Sequence, residues 1–391
     1  MDIVIVANYL GTLDGKSNNR FLYIADMLSK SNNVEIITGN FNHGEKKHFT
    51  RKIEEHDYAI TLLHEPGYRK NVCFKRFWSD YIWGNNVKKY LKNRKKPDAF
   101  FVAVPPLTGA LNIAKYCKKN KVKFIVDVQD LWPEAFKMVF NVPVISSIVF
   151  APFNYIANRI YKQADEIIAV SQTYVNRVLA VNKKTRIGHS VFLGTSLEKF
   201  DENVWKNKIY KKNKNEIWLA YCGTLGASYD LAIVFDAMRK IEDERLRFII
   251  MGDGPRKVEF ERLAIGLNVD FLGNLPYDEM CGWLSACDIN INPIMKGAAQ
   301  SIINKHADYA ASGLPVISTQ ENIEYCELVN EYNMGFNCKN GDVNDFIKKL
   351  KELIDNENVR KEMGKGARRC AEEKFDRKKT YALIESTILG D

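Results

Sequence analysis

Short runs that are apolar almost throughout recur along this chain, each followed by a stretch with helical spacing, and this alternation restricts the fold more than any other feature. In the first half the runs cover residues 3–7, 34–38, 99–104, 122–128 and 166–170. Strands that are apolar on both faces belong in parallel sheets covered by helices on either side. Between the first two runs, Phe21, Ile24, Ala25 and Leu28 fall at i, i+3, i+4 and i+7, the stripe of an amphipathic helix. Strand, loop, helix and strand make a βαβ crossover. The alternation stops over the polar, charge-dense residues 199–216. It restarts with strand patterns at 217–222, 247–252, 269–272, 288–293 and 314–318, and helical ones at 231–241 and 257–267. Two such series in 391 residues predict two doubly wound α/β domains. The expected division is a Rossmann-like domain over 1–198, a connecting segment over 199–216, and a second Rossmann-like domain over 217–375. A last helix over 376–391 is expected to return toward the first domain.

Composition removes several alternatives. A 46% hydrophobic and 27% charged chain has the apolar material for packed cores and is not a disordered sequence. The eight cysteines contain no C-x2-C pair, so zinc or dithiol chemistry has no spacing signature, and reduced thiols in a cytoplasmic setting are expected. No secretory leader is expected either, because Met1-Asp2 runs straight into a short strand pattern. No uncharged apolar run reaches the ~20 residues a membrane span needs. Residues 1–200 hold 30 Lys+Arg against 17 Asp+Glu, whereas residues 201–391 hold 27 against 31. The basic half invites an anionic partner such as a lipid surface or a lipid pyrophosphate. In it, Val142, Ile145, Val149 and Phe153 recur at helical spacing ahead of Arg159 and Lys162, a candidate face for an anionic membrane. No nucleic-acid module accompanies the charge, so a nucleic-acid partner is not expected.

Ligands of such folds collect at strand C-terminal ends. After the first strand, the loop over residues 9–19 contains Gly11, Gly15, Lys16 and Ser17. Its two glycines enclose three residues where a P-loop needs four, which excludes that phosphate cradle, and no G-x-G-x-x-G occurs. The segment Asp127-Val-Gln-Asp-Leu-Trp-Pro-Glu134 also follows a strand. There Asp130 is a candidate proton acceptor, Trp132 a stacking surface and Glu134 a second carboxylate; a plain turn opening a helix is the competing reading. In the second half, Tyr221–Gly226 and Met251–Arg256 each place glycines between a strand and a helix, where backbone and helix N-terminus meet phosphate. The richest stretch runs from Gln300 to Ile317. A helix from Asn304 to Ala311 sets Lys305 and Asp308 on one face, an ammonium for a diphosphate and a carboxylate for vicinal ribose hydroxyls.

The segment Asn304-Lys305-His-Ala-Asp308-Tyr-Ala-Ala-Ser-Gly-Leu-Pro-Val-Ile317 resembles the donor site of retaining glycosyltransferases of the GT-B fold, family 4. Tyr221–Gly226, Gly252–Pro255, Phe271–Leu275 and Asp288–Pro293 extend the likeness. Asp127–Glu134 is similar to the Asp-Leu-Trp-Pro-Glu segment of a bacterial branch that builds surface polysaccharides, including N-acetylfucosaminyltransferase-like members. The resemblance implies an α/β chain with two Rossmann-like domains facing a central cleft. It also implies retention at the anomeric carbon, no metal and no cofactor beyond a nucleotide-sugar co-substrate. It assigns the second acid of the E-x7-E motif to Asp308 and puts the first on Gln300, an amide where the family has a carboxylate. Candidate donor contacts are then Gly223, Thr224, Gly254, Arg256, Gly273, Asn274, Leu275, Ser301, Asn304, Lys305 and Asp308, with Gln300 and Asp130 as candidate catalytic groups. Gly15, Lys16, Ser17, Arg20, Trp132 and Glu134 are the candidate acceptor contacts, for a glycan or polyprenyl-pyrophosphate-linked acceptor. Two other readings stand beside transfer: a GT-B-type sugar-nucleotide epimerase, and a non-catalytic partner subunit, which Gln300 favours.

Overall fold

The computed structural model describes residues 1–11, 13, 18–49, 55–70, 73–134, 143–211, 213–298 and 301–390, the side chains of 143–147 excepted. Two compact units emerge, Met1–Val191 with Tyr381–Asp391 and Phe192–Thr380. The first is built on seven parallel strands: β1 (Asp2–Val6), β2 (Asn33–Gly39), β3 (Ala59–Leu63), β4 (Ala99–Val104), β5 (Lys123–Val128), β6 (Glu166–Ala169) and β7 (His189–Ser190). Their order is β3-β2-β1-β4-β5-β6-β7. The second carries β8 (Ile217–Cys222), β9 (Leu246–Met251), β10 (Val269–Gly273), β11 (Ile289–Asn292), β12 (Val316–Ser318) and β13 (Gly335–Asn337), in the order β10-β9-β8-β11-β12-β13 and again parallel. Counted within each unit, both follow 3-2-1-4-5-6, the doubly wound order in which the strand sequence reverses between the first and fourth strands.

Alternate residues of the central strands feed separate cores, as the two-residue period of a strand requires. Val4 and Val6 pack on one side with Trp83, Phe100 and Val102, while Ile3 and Ile5 pack on the other with Ile36, Phe101 and Ile125. Trp218 and Ala220 of the second unit likewise face away from Ile217 and Leu219.

The polar stretch expected to connect the domains is helical in its first part. Leu197–Lys206 is a helix capped by the Ser196 side chain, and Leu197 and Phe200 are buried in the second unit's core. The second unit accordingly includes this helix and begins at Phe192. Within the two large sheets, three strands escape the apolar-run criterion, β3, β7 and β13, and each lies at a sheet edge. The final helical pattern is divided at Tyr381, and Tyr381, Ile384 and Ile388 join the core around Ile3 and Ile5.

Candidate functional site

In the second unit a cavity of about 440 Å³ opens beyond the C-terminal ends of β8, β9 and β10. Its lining includes Gly223, Thr224 and Tyr229 from the loop after β8, Gly252 after β9, and Asn274 and Leu275 after β10. Asn304, Lys305 and Asp308 reach it from the helix Asn304–Ala311. The cavity sits where the doubly wound order places ligands, and its volume falls in the range of small-molecule sites.

Local sequence explains how that helix is held. His306 accepts a hydrogen bond from the Ile303 amide through Nδ1 at 3.0 Å and so occupies the third position of a capping arrangement. Its ring stacks on Tyr325 at 3.9 Å, and burial pushes its pKa well down. Tyr309 donates to the Ile291 carbonyl and accepts from the Cys222 amide, each at 3.0 Å, bridging β11 and β8. Asn290 donates to the Tyr309 carbonyl and to Ser312 near the helix C-terminus. Gly313, at φ +65°, supplies the left-handed turn that ends the helix.

Lys305 is the outlier of this site. Its side chain is buried, and its Nζ has no hydrogen-bond partner among the described residues. It lies over the rings of Tyr229 and Tyr221, 4.2 and 4.9 Å from their centroids. Ring faces attract a cation but do not replace its hydration, and burial lowers the ammonium to about 7. Asp308, one helical turn away, accepts a 2.8 Å hydrogen bond from the Tyr277 hydroxyl. Tyr277 is bonded in turn to the Thr195 hydroxyl at 2.8 Å. An unpaired ammonium beside an oriented carboxylate suits a molecule that is anionic at one end and polyhydroxylated at the other.

The glycines work differently from expectation. A Cβ on Gly252 would lie 1.8 Å from the Gly223 carbonyl oxygen, and one on Gly254 would lie 2.4 Å from that of Leu225. The absence of a side chain at these two positions lets the two loops touch. Three backbone bonds join the loops: Gly223 N to Met251 O, Leu225 N to Asp253 O and Arg256 N to Leu225 O, each 2.9 Å. The Gly223 amide, expected to face a phosphate, is therefore spent inside the protein.

Of the remaining donor candidates, Arg256 forms a solvent-accessible pair with Glu259 and donates to the Tyr229 carbonyl. It is absent from the cavity lining, as are Gly254, Gly273 and the buried Ser301. Gln300 lies outside the described residues, as do Gly15, Lys16 and Ser17. Tyr229 and Met280 line the cavity, and Tyr277 and Thr195 stand behind Asp308, without having been singled out in the sequence. Tyr229, Tyr277 and Thr195 are isolated hydroxyl residues in motif-free loops, a helix start and a strand exit, and carry no signal of their own.

The first unit's candidates turn inward. Arg20 is buried and holds fully buried Asp127 through two bonds of 2.9 and 3.1 Å, while also donating to the Val191 carbonyl and the Tyr381 hydroxyl. This removes Arg20 from acceptor binding. Trp132 is also buried: Arg76 covers its ring at 4.7 Å and Phe77 packs at its edge, which leaves no face for a sugar. Asp130 accepts from the Leu131 amide at 2.9 Å and the Trp132 indole at 3.2 Å, and burial pushes its carboxyl up. Glu134 is ion-paired with Arg177 at 2.6 Å. The described part of the segment forms a turn, and residues 135–142, where the helix of the plainer reading would run, lie outside the described residues. A cavity of about 410 Å³ in this unit is lined by Lys118, Lys121, Lys123 and Lys184. Lys123 caps the carbonyls of Thr387 and Ile388, however, and Lys184 is tied to Asp165, so two of its cations are already engaged.

Residues 216–356, the core of the second unit, match the family described as Glycosyl transferases group 1. Among curated relatives, the sulfoquinovosyl transferase SQD2 of Arabidopsis thaliana is 29% identical over 158 residues, 40% of this chain and 30% of its own length. The putative colanic acid biosynthesis glycosyl transferase WcaI of Escherichia coli K12 is 23% identical over 253 residues, 61% of this chain and 60% of its own. The chain thus spans 60% or less of the length of these relatives. Anabaena Alr3699/HepE, solved in complex with UDP-glucose, superposes with a TM-score of 0.71 at 15% identity, covering 100% of both chains. That whole-chain likeness shows the GT-B fold of two Rossmann-like domains.

Proposed function

We propose that this chain is a retaining glycosyltransferase that moves a hexosyl or N-acetylhexosaminyl group from a UDP-sugar to a glycan or polyprenyl-pyrophosphate-linked acceptor. The buried Lys305, whose Nζ has no hydrogen-bond partner among the described residues, carries the reading, because burial disfavours its ammonium form and an arriving ligand anion would restore that charge. Lys305 would meet the diphosphate, Asp308 the ribose, and Asn274, Leu275 and Asn304 the remaining cavity wall. Family resemblance and the UDP-glucose complex of HepE support the nucleotide. In the reaction, the bond between the anomeric carbon and the diphosphate oxygen breaks as a bond to the acceptor hydroxyl forms on the same face. The acceptor proton passes to the leaving diphosphate, whose charge Lys305 stabilises. UDP and the glycoside are the products, and the chain needs neither its own nucleophile nor a metal; no D-x-D pair occurs in it. WcaI's colanic acid role supports a place in bacterial capsule, O-antigen or related polysaccharide synthesis, on the cytoplasmic side of the cell membrane.

A panel of UDP-sugars with polyprenyl-pyrophosphate-linked acceptors, followed by mass spectrometry in EDTA, tests this. A glycosylated acceptor is expected. UDP binding without transfer to any acceptor would favour the non-catalytic partner that Gln300 suggests, and epimerised donor would favour the epimerase.

A further inference from the structure

Two neighbouring helices of the first unit turn large apolar side chains to solvent. On Phe74–Tyr90, Phe74 is 94% exposed, Trp78 58% and Tyr81 49%. At 100° per residue these positions form one stripe, with half-buried Ile82 beside it and exposed Lys75, Lys88 and Lys89 around it. On Pro143–Tyr161, Ile148 is 70% exposed, Val149 55% and Tyr155 63%. Arg159 lies over the Tyr155 ring at 5.7 Å, and exposed Lys162 follows. The helices meet where Phe77 packs on Phe153 at 5.2 Å, and each of these rings sits at the edge of its helix's exposed arc. The two stripes therefore flank one contact.

Phe153 itself faces Phe77 and Phe150, so it is a packing residue and not part of the exposed stripe expected from its spacing. Val142 and the Ile145 side chain lie outside the description.

We infer that these two helices form a docking surface for an anionic phospholipid bilayer. Charge decides the occupant. Neither helix exposes a carboxylate: Asp80, the single acid on the two, is buried beneath Tyr9, whose hydroxyl donates to it at 2.7 Å. Aromatic rings interleaved with lysines match the headgroup boundary, where ring bodies enter the acyl region and ammonium groups meet lipid phosphate. Among the described residues no helix is long and apolar enough to cross a membrane, so contact would be along the surface. The choice of lipid rests on the lipid-linked acceptor proposed above; the exposed surface does not.

Sedimentation with vesicles of equimolar phosphatidylglycerol and phosphatidylcholine tests this, with pure phosphatidylcholine as the control. The full chain should bind the anionic vesicles, and binding should fall as salt rises. Phe74→Ser with Trp78→Ser should weaken binding by about tenfold or more, from the lost apolar burial. Val149→Ser alone should weaken it less. All these side chains are exposed, so the variants should keep the wild-type melting temperature and UDP affinity. Failure of the wild type to bind anionic vesicles at low salt overturns the inference, as does binding indifferent to these substitutions. Concentration-dependent dimerisation abolished by the same substitutions would assign the face to a second copy and also overturn it. Vesicle binding without glycosyl transfer would leave this surface standing and sink the proposed reaction; transfer without vesicle binding would do the reverse.

Discussion

Each unit of this protein buries a basic side chain near a carboxylate at the ligand-binding end of a 3-2-1-4-5-6 sheet, and the two basic groups have opposite fates. Arg20 meets Asp127 through two bonds, a carbonyl and a phenol, and lies against the Tyr381 ring. Among the described residues Lys305 Nζ meets only ring faces, while Asp308 is bonded to Tyr277. Burial alone does not separate structure from function; completeness of pairing does. A charge whose partners are all in the protein holds the fold together, and a charge left over is held for something that arrives later.

The contrast predicts crossed phenotypes. Arg20→Met should cost about 3–5 kcal/mol of stability, because it strands the Asp127 carboxylate in the core. Its folded fraction should bind UDP normally. Calorimetry with a UDP titration checks both, and an unaltered melting temperature would show the pair to be dispensable. Lys305→Met should do the opposite. UDP affinity should fall by about 1.5–3 kcal/mol, the value of a hydrogen bond to a charged group, while the apo protein becomes more stable. A Lys305→Met protein that is less stable and binds UDP unchanged would erase the distinction.

The same lysine gives a pH signature. With its pKa near 7 in the empty site, Lys305 is increasingly neutral at higher pH, and diphosphate binding must then return a proton to it. UDP affinity should drop by up to about tenfold per pH unit above 7, and Lys305→Met should flatten that slope. Stability moves the other way. The folded pKa lies below the unfolded one, so the penalty of burying the ammonium is full below pH 7. It is relieved between about 7 and 10.4.

Legibility followed the same division. Strands β4 and β8 and the helix Asn304–Ala311 coincide with their sequence patterns, because apolar period and capping residues are local properties. The Lys305–Asp308 spacing was equally local. What the sequence hid was partnership. Nothing near Arg20 announces Asp127, 107 positions away, so an arginine by a polar loop passed for a ligand contact. Trp132 passed for a stacking surface because Arg76 and Phe77 reach it from the distant helix Phe74–Tyr90.

Smaller effects sharpen the Asp308 side of the comparison. Asp308→Asn should weaken UDP binding by about 1–2 kcal/mol, as a charge-assisted bond to ribose becomes neutral. Unchanged affinity would remove the ribose assignment. Tyr277→Phe, which releases Asp308 and Thr195 from one hydrogen bond each, should cost about 1 kcal/mol or less in affinity. An effect larger than that of Asp308→Asn would make Tyr277 a direct ligand group instead.

The glycine contact between the loops after β8 and β9 bears on how fast the site fills. With Gly252 pressed on the Gly223 carbonyl and three backbone hydrogen bonds across the seam, the cavity floor is in place before a nucleotide comes. Little ordering entropy remains to be lost there on binding, and no slow closure of these loops has to precede capture. Nucleotide uptake should therefore follow one exponential whose rate rises linearly with concentration, the kinetics of an encounter with a surface already set.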